Sequence, residues 1–203
     1  MLTTSVREVF DKYNGTLPVK FAIKHGIGEG TLRKAYERGD IERPKRGVYL
    51  LPESLEDDYL AIQSQYNRGV FSHESALNLY GYTTDNPFYY YMTFPRGYHS
   101  KQFKKSLIRP TYIDEKYYSI GLIETESWHG NKVLAYDKER TILDMLVSSH
   151  AHPYVVEEML EEYAWEERKN LDNLYKYAEL LNRQEQLKIV ENFKRKEGEV
   201  FAK

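Results

Sequence analysis

Glu124-x-Glu126 sets two carboxylates on one face of a run that alternates like a strand. Paired carboxylates of this kind hold metal ions in nucleases. No upstream aspartate motif accompanies them, so a solvated strand face is the plainer reading. Ser72-His73-Glu74 brings a hydroxyl, an imidazole and a carboxylate together in sequence. Consecutive residues at a helix start do not face one another, however, and a nucleophilic triad needs facing groups. Ser72 reads instead as a helix N-cap. His150-x-His152 is spaced to clip a metal, but it falls in a helix–helix connection with no carboxylate pattern beside it. Cysteine is absent, which removes thiolate zinc sites, disulfides and cysteine nucleophiles together. These patterns predict no enzyme, no cofactor and no metal site.

The other chemistry is the recognition of phosphate by cations. Across the helix predicted after Gly28, at about 100° per residue, Leu32, Ala35 and Tyr36 fall on the inward side. Lys34 points away from them, flanked by Thr31 and Arg38, with Arg33 and Gly30 on the other shoulder. Small residues near the N-terminus with cations around them suit a recognition helix in a major groove. Glu37 shares that face and opposes phosphate. Downstream, "DIERPKRGVYL" alternates about Pro44-Lys45-Arg46-Gly47, a hairpin with a cationic tip in the position of a wing. With Lys20, Lys24 and Arg43, the candidate DNA-binding set is Lys20, Lys24, Thr31, Arg33, Lys34, Arg38, Arg43, Lys45 and Arg46.

Three short helices must position these groups. Ser5-x-x-Glu8 reads as a capping box, followed by Val6, Val9, Phe10 and Tyr13 at helical spacing and an Asn14-Gly15 stop. Thr16 and Pro18 signal a second helix, with Val19, Ala22 and Ile23 on one face and Gly26 at its end. Two short helices joined by a Gly-containing turn form the helix-turn-helix pattern. A small helical subdomain with ordinary surface lysines is the competing reading.

Charge supports a division of the chain. Residues 1–50 hold ten Lys/Arg against six Asp/Glu, a balance of +4, which leaves −6 on the rest of a chain whose total is −2. A basic head on an acidic body predicts two domains, 1–52 and 53–203, joined at Leu51-Pro52-Glu53. No apolar run approaches the roughly 20 residues that cross a bilayer, and "MLTTSVREVF" lacks the layout of a signal peptide. A cytoplasmic protein without membrane contact is expected.

In the body, Ser54-x-x-Asp57 signals a helix to about Asn67, Val70-Phe71 is extended, and Ser72 caps another helix. "FYYYMTF" reads as an interior strand with Phe88, Tyr90, Met92 and Phe94 on a core face. Further strands are predicted at Ser106–Ile113, Gly121–Trp128 and Asn131–Tyr136, then helices at Lys138–Ser148, Pro153–Arg168, Leu171–Leu181 and Arg183–Lys194. Glu139-Arg140 reads as a local ion pair at a helix start. The basic loop "RGYHSKQFKK" carries Arg96, Lys101, Lys104 and Lys105 as a candidate surface for DNA or a protein partner. The fold class is α+β: an N-terminal winged helix-turn-helix, then a domain with a small sheet and a helical C-terminal half.

"GTLPVKFAIKHGI…LRKAYERGDIERPKRGVYLLP", "GVFSHESALNLYGYTTDNP", "MTFPRGY", "YDKERTILDML" and "LDNLYKYAELLN" follow one another in this chain. Together they resemble the AbiEi family, antitoxins of the bicistronic AbiE abortive-infection (type IV toxin–antitoxin) systems of bacteria. The resemblance implies an autorepressor that binds double-stranded promoter DNA at inverted repeats. It also implies neutralisation of a nucleotidyltransferase toxin encoded beside it, without a stable complex. The alternatives are a winged-helix regulator whose body senses a ligand or dimerises, and a DNA-processing enzyme built on the Glu124 strand.

Overall fold

The computed structural model describes residues 1–83, 88–103 and 106–200, with side chains described to residue 193. Its chain divides into two compact units, 1–67 with 124–133, and 68–123 with 134–203. The join expected at 52/53 lies within the first unit, which also takes in a distant hairpin tip. The segment 51–67 adds Glu53, Glu56, Asp57 and Asp58 and no Lys or Arg, so the first unit lacks the strong positive balance of residues 1–50.

In the first unit, α1 (Thr4–Lys12) begins one residue before the expected cap. Thr3 is the N-cap and makes no side-chain cap bond, while Ser5 lies inside the first turn, where its hydroxyl cannot cap. Asn14 and Gly15 end this stretch at φ 50° and 86°, and Ser54 packs so closely on Gly15 that a Cβ there would meet its hydroxyl. Thr16–Pro18 is a strand, β1, rather than the start of a helix. It pairs antiparallel with β3 (Val48–Leu50), and the fixed φ of Pro18 then opens α2 (Val19–Lys24). A short turn leads to α3 (Glu29–Glu37), and β2 (Glu42–Lys45) completes a three-stranded sheet in the order β1-β3-β2.

Phe10, Leu17, Ala22, Leu32, Ala35 and Tyr49 close a core between helices and sheet. Two expected members lie outside it: Ile23 is 57% exposed and Tyr36 46% exposed. The inward position expected of Ile23 goes to Ile27 from the turn, and Tyr36 sets its ring edgewise near Tyr49, centroids 6.5 Å apart. This is a winged helix-turn-helix, followed by α4 (Asp58–Gln65). Asp57, not Ser54, caps α4, accepting the Leu60 N–H at 3.1 Å.

The rest of the chain supplies β4 (Val70–Phe71), α5 (His73–Tyr80), β5 (Tyr90–Pro95), β6 (Ile108–Ile113) and a short α6 (Glu115–Tyr118). Then come β7 (Leu122–Glu126), β8 (Lys132–Tyr136), α7 (Lys138–Met145), α8 (Pro153–Trp165), α9 (Leu171–Leu180) and α10 (Gln184–Val200). The five strands run in the order β6-β5-β4-β8-β7, with β4 antiparallel to β5, and β5–β6 and β4–β8 parallel. β5 is interior as expected, and Met92 and Phe94 are fully buried. Phe88 precedes the strand and is 73% exposed, so the core face is shorter than its period-two pattern. Leu77, Ile142, Leu143, Met159, Tyr163 and Leu174 anchor the helical core of the second unit.

Candidate nucleic-acid interface

Burial sorts α3 cleanly. Leu32 and Ala35 are buried, while Thr31, Arg33, Lys34, Glu37 and Arg38 are all exposed. The sorting follows from sequence period: the apolar residues three apart are pulled into the core, so the polar ones between them must face out. Arg33 lies 3.7 Å from Glu37, a loose i,i+4 pair. Arg38 is more firmly held, 2.8 Å from Asp40, which is also 2.8 Å from the N-terminal ammonium. Hydrogen bonds from that ammonium and from Arg38 hold the Asp40 carboxyl below its usual range. Among the described residues, Lys34 and Arg46 form no ion pair and Thr31 makes no side-chain hydrogen bond.

The wing is short. Arg46 and Gly47 make its turn, Gly47 at φ +81°, and the Val19 N–H donates to the Gly47 carbonyl at 2.9 Å, tying the turn to the start of α2. Lys45 differs from its neighbour. Its Nζ donates to Asp58 Oδ1 at 2.6 Å and lies 2.8 Å from Glu56 Oε1. Burial opposes its charge, but the two carboxylates outweigh that and hold the ammonium above its ordinary range. Lys20 donates to the Ser64 carbonyl at 3.0 Å. Lys24 lies over the Phe21 ring at 5.2 Å, and Arg43 over the Tyr49 ring at 5.7 Å. The nine cations and hydroxyls of the expected set thus fall into three groups. Lys34, Arg46 and Thr31 are open, Arg33, Lys24 and Arg43 are loosely engaged at the surface while Arg38 is held there by Asp40, and Lys20 and Lys45 are tied to α4 and its approach.

A buried polar cluster, of which no local pattern in the chain is a sign, supports this head. Thr16 is fully buried; its Oγ1 accepts the Asp57 N–H at 2.9 Å and donates to the Leu55 carbonyl at 3.3 Å. Asp57 Oδ2 accepts from Ser127 Oγ at 2.5 Å and from Asn131 Nδ2 at 2.8 Å. Asn131 Nδ2 also donates to the Tyr13 carbonyl at 3.2 Å. The Glu124–Val133 hairpin tip is thereby fastened to the end of α1 and the cap of α4. Ser127 and Asn131 lie 70 and 74 residues from Asp57 in sequence, beyond any periodic or capping pattern.

Arg96 pairs with Asp114 at 2.8 Å, Lys101 is exposed, and Lys104 and Lys105 lie outside the described residues. Glu124 and Glu126 stand exposed, with Glu126 2.9 Å from Lys132. Ser72 is the N-cap of α5, yet its hydroxyl contacts His73 and Thr93 rather than the helix backbone. His150 and His152 are exposed, and no metal-ligand cluster occurs among the described residues. Glu139 and Arg140 do not pair: Arg140 Nε donates to Asp144 at 2.9 Å, and Glu139 accepts the Asn170 N–H at 2.8 Å. No helix among the described residues is long and apolar enough to cross a membrane.

A crystal structure of the RV2827C protein from Mycobacterium tuberculosis is similar in fold at a TM-score of 0.54. The match covers 88% of this chain and 72% of that one at 13% sequence identity, so it speaks for the fold alone. No curated protein sequence matches the chain. Residues 5–52, the three helices and the wing, match the profile of the family described as "Transcriptional regulator, AbiEi antitoxin". Over that N-terminal segment, the chain is similar to the AbiEi antitoxin family of transcriptional regulators.

Proposed function

We propose that this protein is the antitoxin and autorepressor of a bicistronic toxin–antitoxin operon of the type IV, abortive-infection kind. The winged helix binds inverted repeats in the double-stranded promoter, and the remainder of the chain counters a nucleotidyltransferase toxin in the cytoplasm without a stable complex. Thr31 and Lys34 on α3 enter a major groove, Arg33 and Arg38 flank them, and Arg46 at the wing meets flanking phosphate. No catalytic step or cofactor enters this account. The observation that carries it is the outward row on α3, open cations at Lys34 and Arg46 beside a family match that covers those residues.

The test is a salt titration of binding to the protein's own promoter. Each phosphate contact removed should lower the slope of log K against log[salt] by about 0.9. Lys34→Ala and Arg46→Ala should each show such a fall, or, for Lys34, an altered preference among operator variants if it reads a base edge. A folded double variant that binds with unchanged affinity and slope would reject the interface. Survival of cells that express the neighbouring toxin tests the antitoxin half separately.

A further inference from the structure

The second unit contains a cavity of about 420 Å³ that the proposed function does not use. This is within the roughly 300–1,000 Å³ of small-molecule pockets. Arg140, Asp144 and Thr93 line it from the interior, His73 and Ser148 are half-buried on its wall, and Thr111 is on the side nearer solvent. Arg183 adds a second guanidinium.

Arg140 is the unusual member. Its side chain is fully buried, and three of its five N–H donors are committed. Nε donates to Asp144 at 2.9 Å, and Nη1 donates to the carbonyls of Tyr117 at 3.0 Å and Ile120 at 2.8 Å. The Tyr136 ring stacks against the guanidinium at 4.3 Å. Those contacts fix its plane and leave Nη2, which is buried, with no hydrogen-bond partner. Arg183 is similar: it approaches Asp144 only to 3.9 Å, and its buried Nε is also unpartnered. A rigid guanidinium with idle donors fits an oxyanion.

Charge and backbone agree. Two guanidinium groups against one carboxylate leave the lining at +1, and burial lowers the pKa of His73, which keeps its imidazole neutral. His73 also sits at φ +51°, in the left-handed region that residues other than glycine seldom adopt. Such strain collects at ligand sites. The hydroxyls of Thr111 and Ser148 supply further donors, more than the two oxygens of a carboxylate would use.

We propose that this cavity is a binding site for a small phosphorylated molecule, whose phosphoryl oxygens take the idle donors of Arg140 and Arg183. The inference stands apart from DNA binding and is tested without it. Thermal melts of the full chain in inorganic phosphate and in AMP, at ionic strength matched with chloride, should show a Tm that climbs with ligand concentration. Arg183→Gln should weaken binding by about tenfold, the worth of one charge-assisted contact. Thr111→Trp, at an exposed position on the rim, should abolish binding without changing the fold. Arg140→Lys keeps the charge and removes the fork, and if it does not fold the other two variants decide. Absence of any Tm rise in phosphate or AMP would overturn the site, as would an undiminished rise in Arg183→Gln and Thr111→Trp. Acetate acting as strongly as phosphate would overturn the phosphoryl assignment.

Discussion

Asn131→Ala should loosen the whole winged-helix unit although residue 131 is distant from it in sequence. Asn131 is 3% exposed, and its Nδ2 donates to the Asp57 carboxylate at 2.8 Å and the Tyr13 carbonyl at 3.2 Å. A bond to a charged acceptor contributes about 1.5–3 kcal/mol and a neutral one about 0.5–1.5 kcal/mol. The Asn14 contact at 3.4 Å adds little. The expected loss is therefore about 2–4 kcal/mol, because Asp57 keeps only Ser127 for Oδ2. Native-state hydrogen exchange on the amides of β1 and β3 reads that loss in this unit alone, which a single melt of a two-unit chain does not. Asn131→Asp should cost more, since it sets a second carboxylate against Asp57. A loss below about 1 kcal/mol for Asn131→Ala, in the range of ordinary surface changes, would refute the view that the cluster holds the hairpin tip to the head.

Four other outcomes follow from the same structure. Burial lifts Asp137 from 3.8 to about 6, so the folded state holds the extra proton and stability falls as pH rises between those values. Over that window the wild type should lose up to about 3 kcal/mol more than Asp137→Asn, which keeps the cap of α7; urea unfolding at pH 4 and 7 checks the difference. Gly121 sits at φ +73°, and a Cβ there would lie 2.6 Å from Arg140 Cβ. Gly121→Ala should destabilise the second unit by about 2–4 kcal/mol from strain and overpacking together, measured by denaturation. Because Lys45 already serves Glu56 and Asp58, Lys45→Ala should lower the promoter-binding salt slope by less than Lys34→Ala does. A fragment ending at residue 52 removes the Leu55 and Asp57 partners of buried Thr16. It should show lower exchange protection than a fragment ending at 67, and equal protection would count against that role.

The fold was legible where the cause is local. Leu32 and Ala35 three residues apart, Gly28 and Gly47 at turns, and Asp137 before α7 each act within a turn of chain, so α3, the wing and α7 stand where periodicity and capping put them. Thr16–Pro18 misled because its helix-start residues gain more as a strand paired with Val48–Leu50, a partner 32 residues away. Of the candidate interface, residue types and facing were readable, since α3 is amphipathic. Which cations are already engaged was not, because Glu56 and Asp58 reach Lys45 through tertiary placement. Arg140 shows the same limit: it reads as half of a local ion pair with Glu139 at a helix start and is in fact a buried side chain on a cavity wall.

The discontinuity of the first unit also sets an order in time. Its helices and wing leave the ribosome early, yet Ser127 and Asn131, which complete the cluster around Asp57, come only with residues 124–133. The stretch 68–133 takes roughly 3–13 s to make at 5–20 residues per second. During that interval the Asp57 carboxylate of the nascent head is without two of its donors, so the head is expected to mature only after that stretch is made. Nascent chains arrested before and after Val133 has emerged should then differ in protease resistance across residues 1–67, and equal resistance would show that the head matures without its late-arriving piece.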